Sequence, residues 1–137
     1  MKLSFQPERI HPYFFPQYRH PIQINYGDCF RWAYLASKLF KGVELWSYYL
    51  HAFISYDGKF YDSECLFGTK KWQKLRTIKE NRGLFPKACR MSEKEFTDYW
   101  SRFNCCDWNE LDIYAAQYLK SRLCSCSLDI SRERSIM

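Results

Sequence analysis

At 137 residues the chain has the length of one domain, and a content of 47% hydrophobic and 20% aromatic residues excludes an intrinsically disordered chain. The formal charge of +6 is a modest surplus, better suited to solubility than to a nucleic-acid footprint. Seven cysteines, an odd number, with no basic start leading into an apolar segment and a small-residue cleavage site, argue against a secreted disulfide scaffold and for a reducing cytoplasm; no run approaches the roughly eighteen apolar residues of a membrane span.

Residues 1–22 contain Pro7, Pro12, Pro16 and Pro21, which forbid one continuous helix and predict an extended arm. Its aromatic residues Phe5, Tyr13, Phe14, Phe15 and Tyr18 predict that the arm packs on the domain. A single domain over 23–124 and a polar tail over 125–137 complete the expected organisation.

The first long helix is expected to start at Asp28, an N-cap residue whose carboxylate can accept from the first-turn N–H groups. Cys29, Ala33, Ala36 and Phe40 then share one face, flanked by Trp32 and Leu39, as in a helix packed on a sheet. Gly42 ends the run, with Lys38 and Lys41 suited to a helix C-terminus.

The segment "VELWSYYLHAFISYDGKFYDSE" is dense in aromatic and β-branched residues, and its Asp57-Gly58 pair predicts a two-residue type I′ hairpin. Beyond Phe67 the pattern turns helical. Residues 71–79 form a weakly amphipathic candidate broken by Gly83 and Pro86, and the pairs Ser92/Glu95 and Asp107/Glu110 read as capping boxes opening two further helices. The fold class expected is α+β: a cysteine-bearing helix on a small antiparallel sheet, with additional C-terminal helices.

A turn at 57 and 58 pairs Tyr56 with Lys59 and Ile54 with Tyr61, and by extension sets Phe53 against Asp62 and His51 against Glu64. His51 then shares a sheet face with Asp62 and Glu64, and either carboxylate can fix its tautomer. Cys29 stands in the first turn of a helix, where the macrodipole and unpaired N–H groups favour a thiolate. A thiol, an imidazole and an acid in these settings point to nucleophilic catalysis.

The order of a cysteine at a helix start ("GDCFRWAY"), a histidine opening a strand ("HAFI") and an acid closing the next ("KFYDSE") resembles the papain-like and transglutaminase-like thiol hydrolases. The resemblance covers about residues 23–64. It implies a helix bearing the nucleophile packed against a sheet bearing the other two groups, with Cys29 as nucleophile, His51 as general base and Asp62 as orienting acid, preferred to Glu64 because it follows an aromatic near its strand end. It also implies a side-chain oxyanion donor about where Gln23 lies, with Asn25 as competitor. Cys29 and His51 are separated by 22 residues, a shorter gap than these families use, with room for one helix and one strand.

The activity so implied is hydrolysis or acyl transfer at an amide or isopeptide bond of a protein or peptide, with no cofactor. A catalytically inert protein-binding module on the same fold and a basic nucleic-acid binder are the alternatives. The basic run "KKWQKLRTIKENR" reads more simply as a solvated helix face. Cys89, Cys105, Cys106, Cys124 and Cys126 lack the spacing of a zinc knuckle, so no metal is expected; Cys65 follows the hairpin near the proposed centre.

Overall fold

A computed structural model describes residues 1–81 and 87–136, with side chains as far as residue 122. The expected break at Gly83 and Pro86 and the side chains of Cys124 and Cys126 lie outside the described residues.

Helix α1 covers Ile10–Phe14, α2 covers Pro21–Ile24 and α3 covers Cys29–Leu39; strands β1 (Glu44–Tyr48), β2 (His51–Tyr56) and β3 (Lys59–Tyr61) follow. Helix α4 (Arg76–Glu80), strand β4 (Cys89–Met91) and helices α5 (Glu93–Ser101) and α6 (Trp108–Ile136) complete the chain, making an α+β fold around one four-stranded antiparallel sheet of order β3-β2-β1-β4.

The Asp57-Gly58 turn sets the register foreseen for it. Asp57 and Gly58 take φ of 48° and 80°, and Tyr56 faces Lys59, Ser55 faces Phe60 and Ile54 faces Tyr61. Pairing stops there, so Asp62 and Glu64 lie beyond the ladder and the expected juxtaposition of His51 with Glu64 does not form. A second two-residue hairpin turn, Tyr49-Leu50, joins β1 to β2 and pairs Tyr48 with His51; it carries no Gly or Asn to announce it, and Tyr49 has φ of 48°.

Both faces of β2 are covered, which is why His51, Ala52, Phe53, Ile54 and Ser55 are all buried. Ala52 and Ile54 join the main core with Leu45 and the α3 residues Phe30, Ala33 and Leu35, together with Phe96 and Trp100 of α5 and Leu111 and Ala115 of α6. Phe53 lies on the other face with Tyr48, Leu75 and Ile78. Fully burying side chains of this size contributes about 1.5–3 kcal/mol each.

Several expectations are corrected. Residues 1–22 are not an extended arm: they form a 3-10 turn at Pro7–Arg9 and two short helices, because proline is tolerated in a first helical turn, as Pro7 and Pro21 show. Only Leu3 is strand-like, bridging Phe40, while Ile10 and Phe15 are buried in the core. Residues 71–79 form a 3-10 turn (Trp72–Lys74) and the separate α4, divided at Leu75, whose extended backbone buries its side chain. The Ser92/Glu95 capping box forms as expected, and Asp107 accepts from the N–H of Glu110. The backbone of α6 continues through the supposed tail to Ile136. Among the described residues no helix is long and apolar enough to cross a membrane.

The loop after β3 folds back through reciprocal backbone hydrogen bonds between Phe60 and Thr69, and Gly68 lies flat on the Tyr61 ring. Gly68 has φ of 82°, and a Cβ there would stand 2.6 Å from Tyr61 Cζ. Gly68→Ala is therefore expected to cost about 2–3 kcal/mol, combining left-handed strain with overpacking, measured as a lowered urea midpoint at unchanged m-value.

Candidate functional site

Cys29 is the first residue of α3, and Asp28 precedes it without capping it. The Asp28 carboxylate turns instead to the Tyr18 hydroxyl, at 2.5 Å, and to the Arg31 guanidinium. This corrects the expected N-cap: a tyrosine and an arginine compete for the carboxylate, and the first-turn N–H groups keep no side-chain partner.

The sulfur meets the sheet where β3 has ended. Along β2 the backbone groups of Ala52, Ile54 and Tyr56 point towards β3, but β3 pairs no residue before Ile54. The free Ala52 N–H donates to Cys29 Sγ at 3.4 Å, and the Leu50 carbonyl lies 3.8 Å from the same sulfur. Sequence reasoning did not identify this donor. The hairpin register together with the end of β3 would have revealed it.

His51 and Asp62 form a buried pair, 2% exposed each, with Nε2 and Oδ2 separated by 3.0 Å. The other Asp62 oxygen, Oδ1, accepts from the N–H groups of Glu64 (3.0 Å) and Cys65 (2.8 Å), so the turn that ends β3 orients the acid. Nδ1 of His51 is buried and has no hydrogen-bond partner. With Nε2 committed to Asp62, Nδ1 is the ring nitrogen that keeps no partner.

Burial opposes charge on His51, but Asp62 and Cys29 outweigh it and raise its pKa to about 9. Burial likewise opposes charge on Asp62, and there the hydrogen bond and charge of His51 with the two backbone donors win, holding the carboxyl below its usual range.

Glu64, expected beside His51, swings away. Its carboxylate takes Arg76 through Nε at 2.8 Å and Nη2 at 2.6 Å, and Asn25 Nδ2 at 2.8 Å. The Arg76 hydrogen bond lowers the Glu64 pKa against a smaller effect of burial. Because a carboxylate only accepts, the Asn25 amide is fixed with its NH2 towards Glu64. Asn25 is buried and lines a cleft of about 390 Å³ together with Cys29. Gln23 is not brought to the cleft: it is exposed, and its side-chain oxygen accepts from the His20 N–H at 2.9 Å to close the start of α2. The spacing His20-Pro21-x-Gln23 carried that signal, a capping arrangement with proline at the first helical position.

Volume alone does not single out the cleft, since depressions of about 510 and 600 Å³ lie elsewhere, the larger lined by Lys71, Gln73, Lys74 and Lys79. What distinguishes the smaller cleft is that Cys29 lines it, while His51 and Asp62 do not reach its wall and stay buried. Among the described residues no three His, Cys, Asp or Glu side chains are grouped as metal ligands. Comparison with protein-family models, with curated proteins and with solved structures finds no match to this chain.

The pair has a pH signature. A histidine raised from its unfolded value near 6.5 to about 9 stabilises the fold fully below pH 6.5, and the contribution is lost as pH rises through 9; the lowered Asp62 stabilises above its unfolded value, and that contribution is lost as pH falls through its folded one. The unfolding free energy from urea titrations is expected to fall between pH 6.5 and 9 by an amount on the order of 2 kcal/mol that is largely missing from Asp62→Asn.

Proposed function

We propose that the protein is a thiol hydrolase or acyltransferase acting on an amide, isopeptide or related acyl bond of a protein or peptide in the cytoplasm, with Cys29, His51 and Asp62 as its triad. The carrying observation is the buried His51–Asp62 pair, whose second ring nitrogen is unpartnered, beside a Cys29 sulfur that the neighbouring Ala52 N–H holds against the same strand. The order and setting of these groups are those through which the sequence resembles papain-like and transglutaminase-like enzymes.

In the reaction the Cys29 proton resides on His51, the resulting thiolate attacks the carbonyl carbon, and the charge that develops on its oxygen meets the uncapped N–H of Cys29 and the second Nδ2 hydrogen of Asn25. His51, held charged by Asp62, gives its proton to the leaving amine and becomes neutral. It then takes a proton from water, or from an acceptor amine, as that nucleophile attacks the thioester and frees Cys29. Ala52 N–H steadies the sulfur while it is anionic.

Two measurements test the reading. Iodoacetamide at pH 7 is expected to label Cys29 about tenfold or more faster than Cys65 and Cys106, whose thiols burial pushes up, and His51→Ala abolishes the preference; equal labelling supports the inert binding module instead. Acylation by p-nitrophenyl acetate builds charge on a carbonyl oxygen whereas alkylation does not, so Asn25→Ala is expected to lower the ratio of acylation to alkylation by about 10²-fold. An unchanged ratio removes Asn25 from the oxyanion site.

A further inference from the structure

The wall of the cleft differs in character from the rest of the surface. In a chain with 26% charged residues, no charged side chain lines the space beside Cys29 among the described residues. The lining is Tyr26, Leu50, Trp100 and Phe103, with the amides of Asn25 and Asn104 at its polar points. Tyr26, Leu50 and Phe103 are 69%, 49% and 47% exposed, so three large apolar side chains stand in water around one sulfur atom. Isolated exposed apolar residues are ordinary, but a group of them converging on a nucleophile is a recognition surface.

The wall is also pre-set. Leu50 sits in the tight β1–β2 turn beside Tyr49, whose φ is 48° and whose carbonyl accepts from the Tyr99 hydroxyl of α5 at 2.6 Å. Trp100 donates through Nε1 to Ser47 Oγ of β1 at 3.0 Å and stacks on Phe30 of α3 with ring centroids 5.4 Å apart, and the Phe103 ring lies edge-on to Tyr99 and Trp100. Arg76, the cation nearest the Tyr26 ring, is neutralised by Glu64 and Glu80. An apolar group entering here meets rings already in place and displaces water from them. A charged one loses its hydration and finds no counter-ion.

Resting on the thiol reading above, we infer that the cleft selects an uncharged, apolar or aromatic side chain on the acyl group delivered to Cys29, with Tyr26, Leu50 and Phe103 as specificity residues and Asn25 and Asn104 orienting the adjoining peptide amides.

The test uses the full chain and three chloromethyl ketones, phenylalanyl, lysyl and aspartyl, with each rate of Cys29 alkylation divided by the reagent's rate with free glutathione. The phenylalanyl reagent is expected to react roughly tenfold or more faster than either charged one. Normalised to each protein's own iodoacetamide rate, Phe103→Ala and Leu50→Ala each narrow that preference several-fold. Selective iodoacetamide labelling of Cys29 combined with equal rates for the three reagents, or with a lysyl or aspartyl preference, overturns this inference and leaves the thiol reading standing. A Cys29 no faster than Cys65 towards iodoacetamide overturns both.

Discussion

The buried pair of His51 and Asp62 is the contact around which the rest of the molecule is arranged. Taking an imidazolium and a carboxylate out of water costs several kcal/mol per ion, and the loss is recovered only where geometry is good and the remaining polar atoms are satisfied. Two backbone amides on Asp62 Oδ1 and the 3.0 Å contact on Oδ2 meet that condition for the carboxylate, while Nδ1 of His51 is left as the one unsatisfied atom of the pair. The arrangement requires β3 to end at Tyr61. One further paired residue would straighten the turn that presents Asp62 and would cover the edge of β2 where Ala52 holds the sulfur.

Segments distant in sequence converge on that turn. Ser63 donates to the Pro21 carbonyl at 2.8 Å, fastening it to α2, and Glu64 links it to Arg76 of α4 and to Asn25 just ahead of α3. The N-terminal residues act as a strap: Leu3 exchanges backbone hydrogen bonds with Leu39 and Lys41, and Phe5 stacks on Tyr56 at 4.2 Å while meeting the Tyr61 ring edge-on. Deleting the strap would remove contacts from the hairpin that carries the acid, so residues far from Cys29 support its surroundings. The C-terminal half contributes directly, because α5 supplies Trp100 to the cleft and pins the β1–β2 turn, and Phe103 joins the wall from the segment just after α5.

Local chemistry was legible in the sequence where it was self-contained. Asp57-Gly58 determined a turn type and hence a register, Ser92 and Glu95 determined a helix start, and the apolar period from Cys29 gave the helix that carries the sulfur. Cys29 and Asp62 sit at ends of elements that the sequence marks, the helix start after Gly27-Asp28 and the strand that follows the Asp57-Gly58 turn. What was not legible depended on competition between distant groups. Asp28 has the residue type of a cap, and only the approach of Tyr18 and Arg31 draws it away. Glu64 follows the strand alternation until Arg76, twelve residues later, offers a bidentate partner. The Tyr49-Leu50 turn uses residues with no turn preference, so β1 and the cleft wall it shapes could not be separated from one long β-prone run. Gln23 was assigned by its offset from Cys29 although the nearer pattern, proline after a capping position, described what it does.

The uncapped start of α3 carries a consequence for how this chain can vary. A short polar side chain folded over the first turn stabilises a helix by about 1 kcal/mol, and at α3 it would fill the space that the proposed reaction gives to the substrate oxygen. Tyr18 and Arg31 act as a tether that keeps the carboxylate at position 28 out of that space. Under the proposed chemistry, loss of either tether would free the carboxylate to cap the helix and close over the sulfur, so a gain in helix stability at these two positions would come at the expense of access to Cys29.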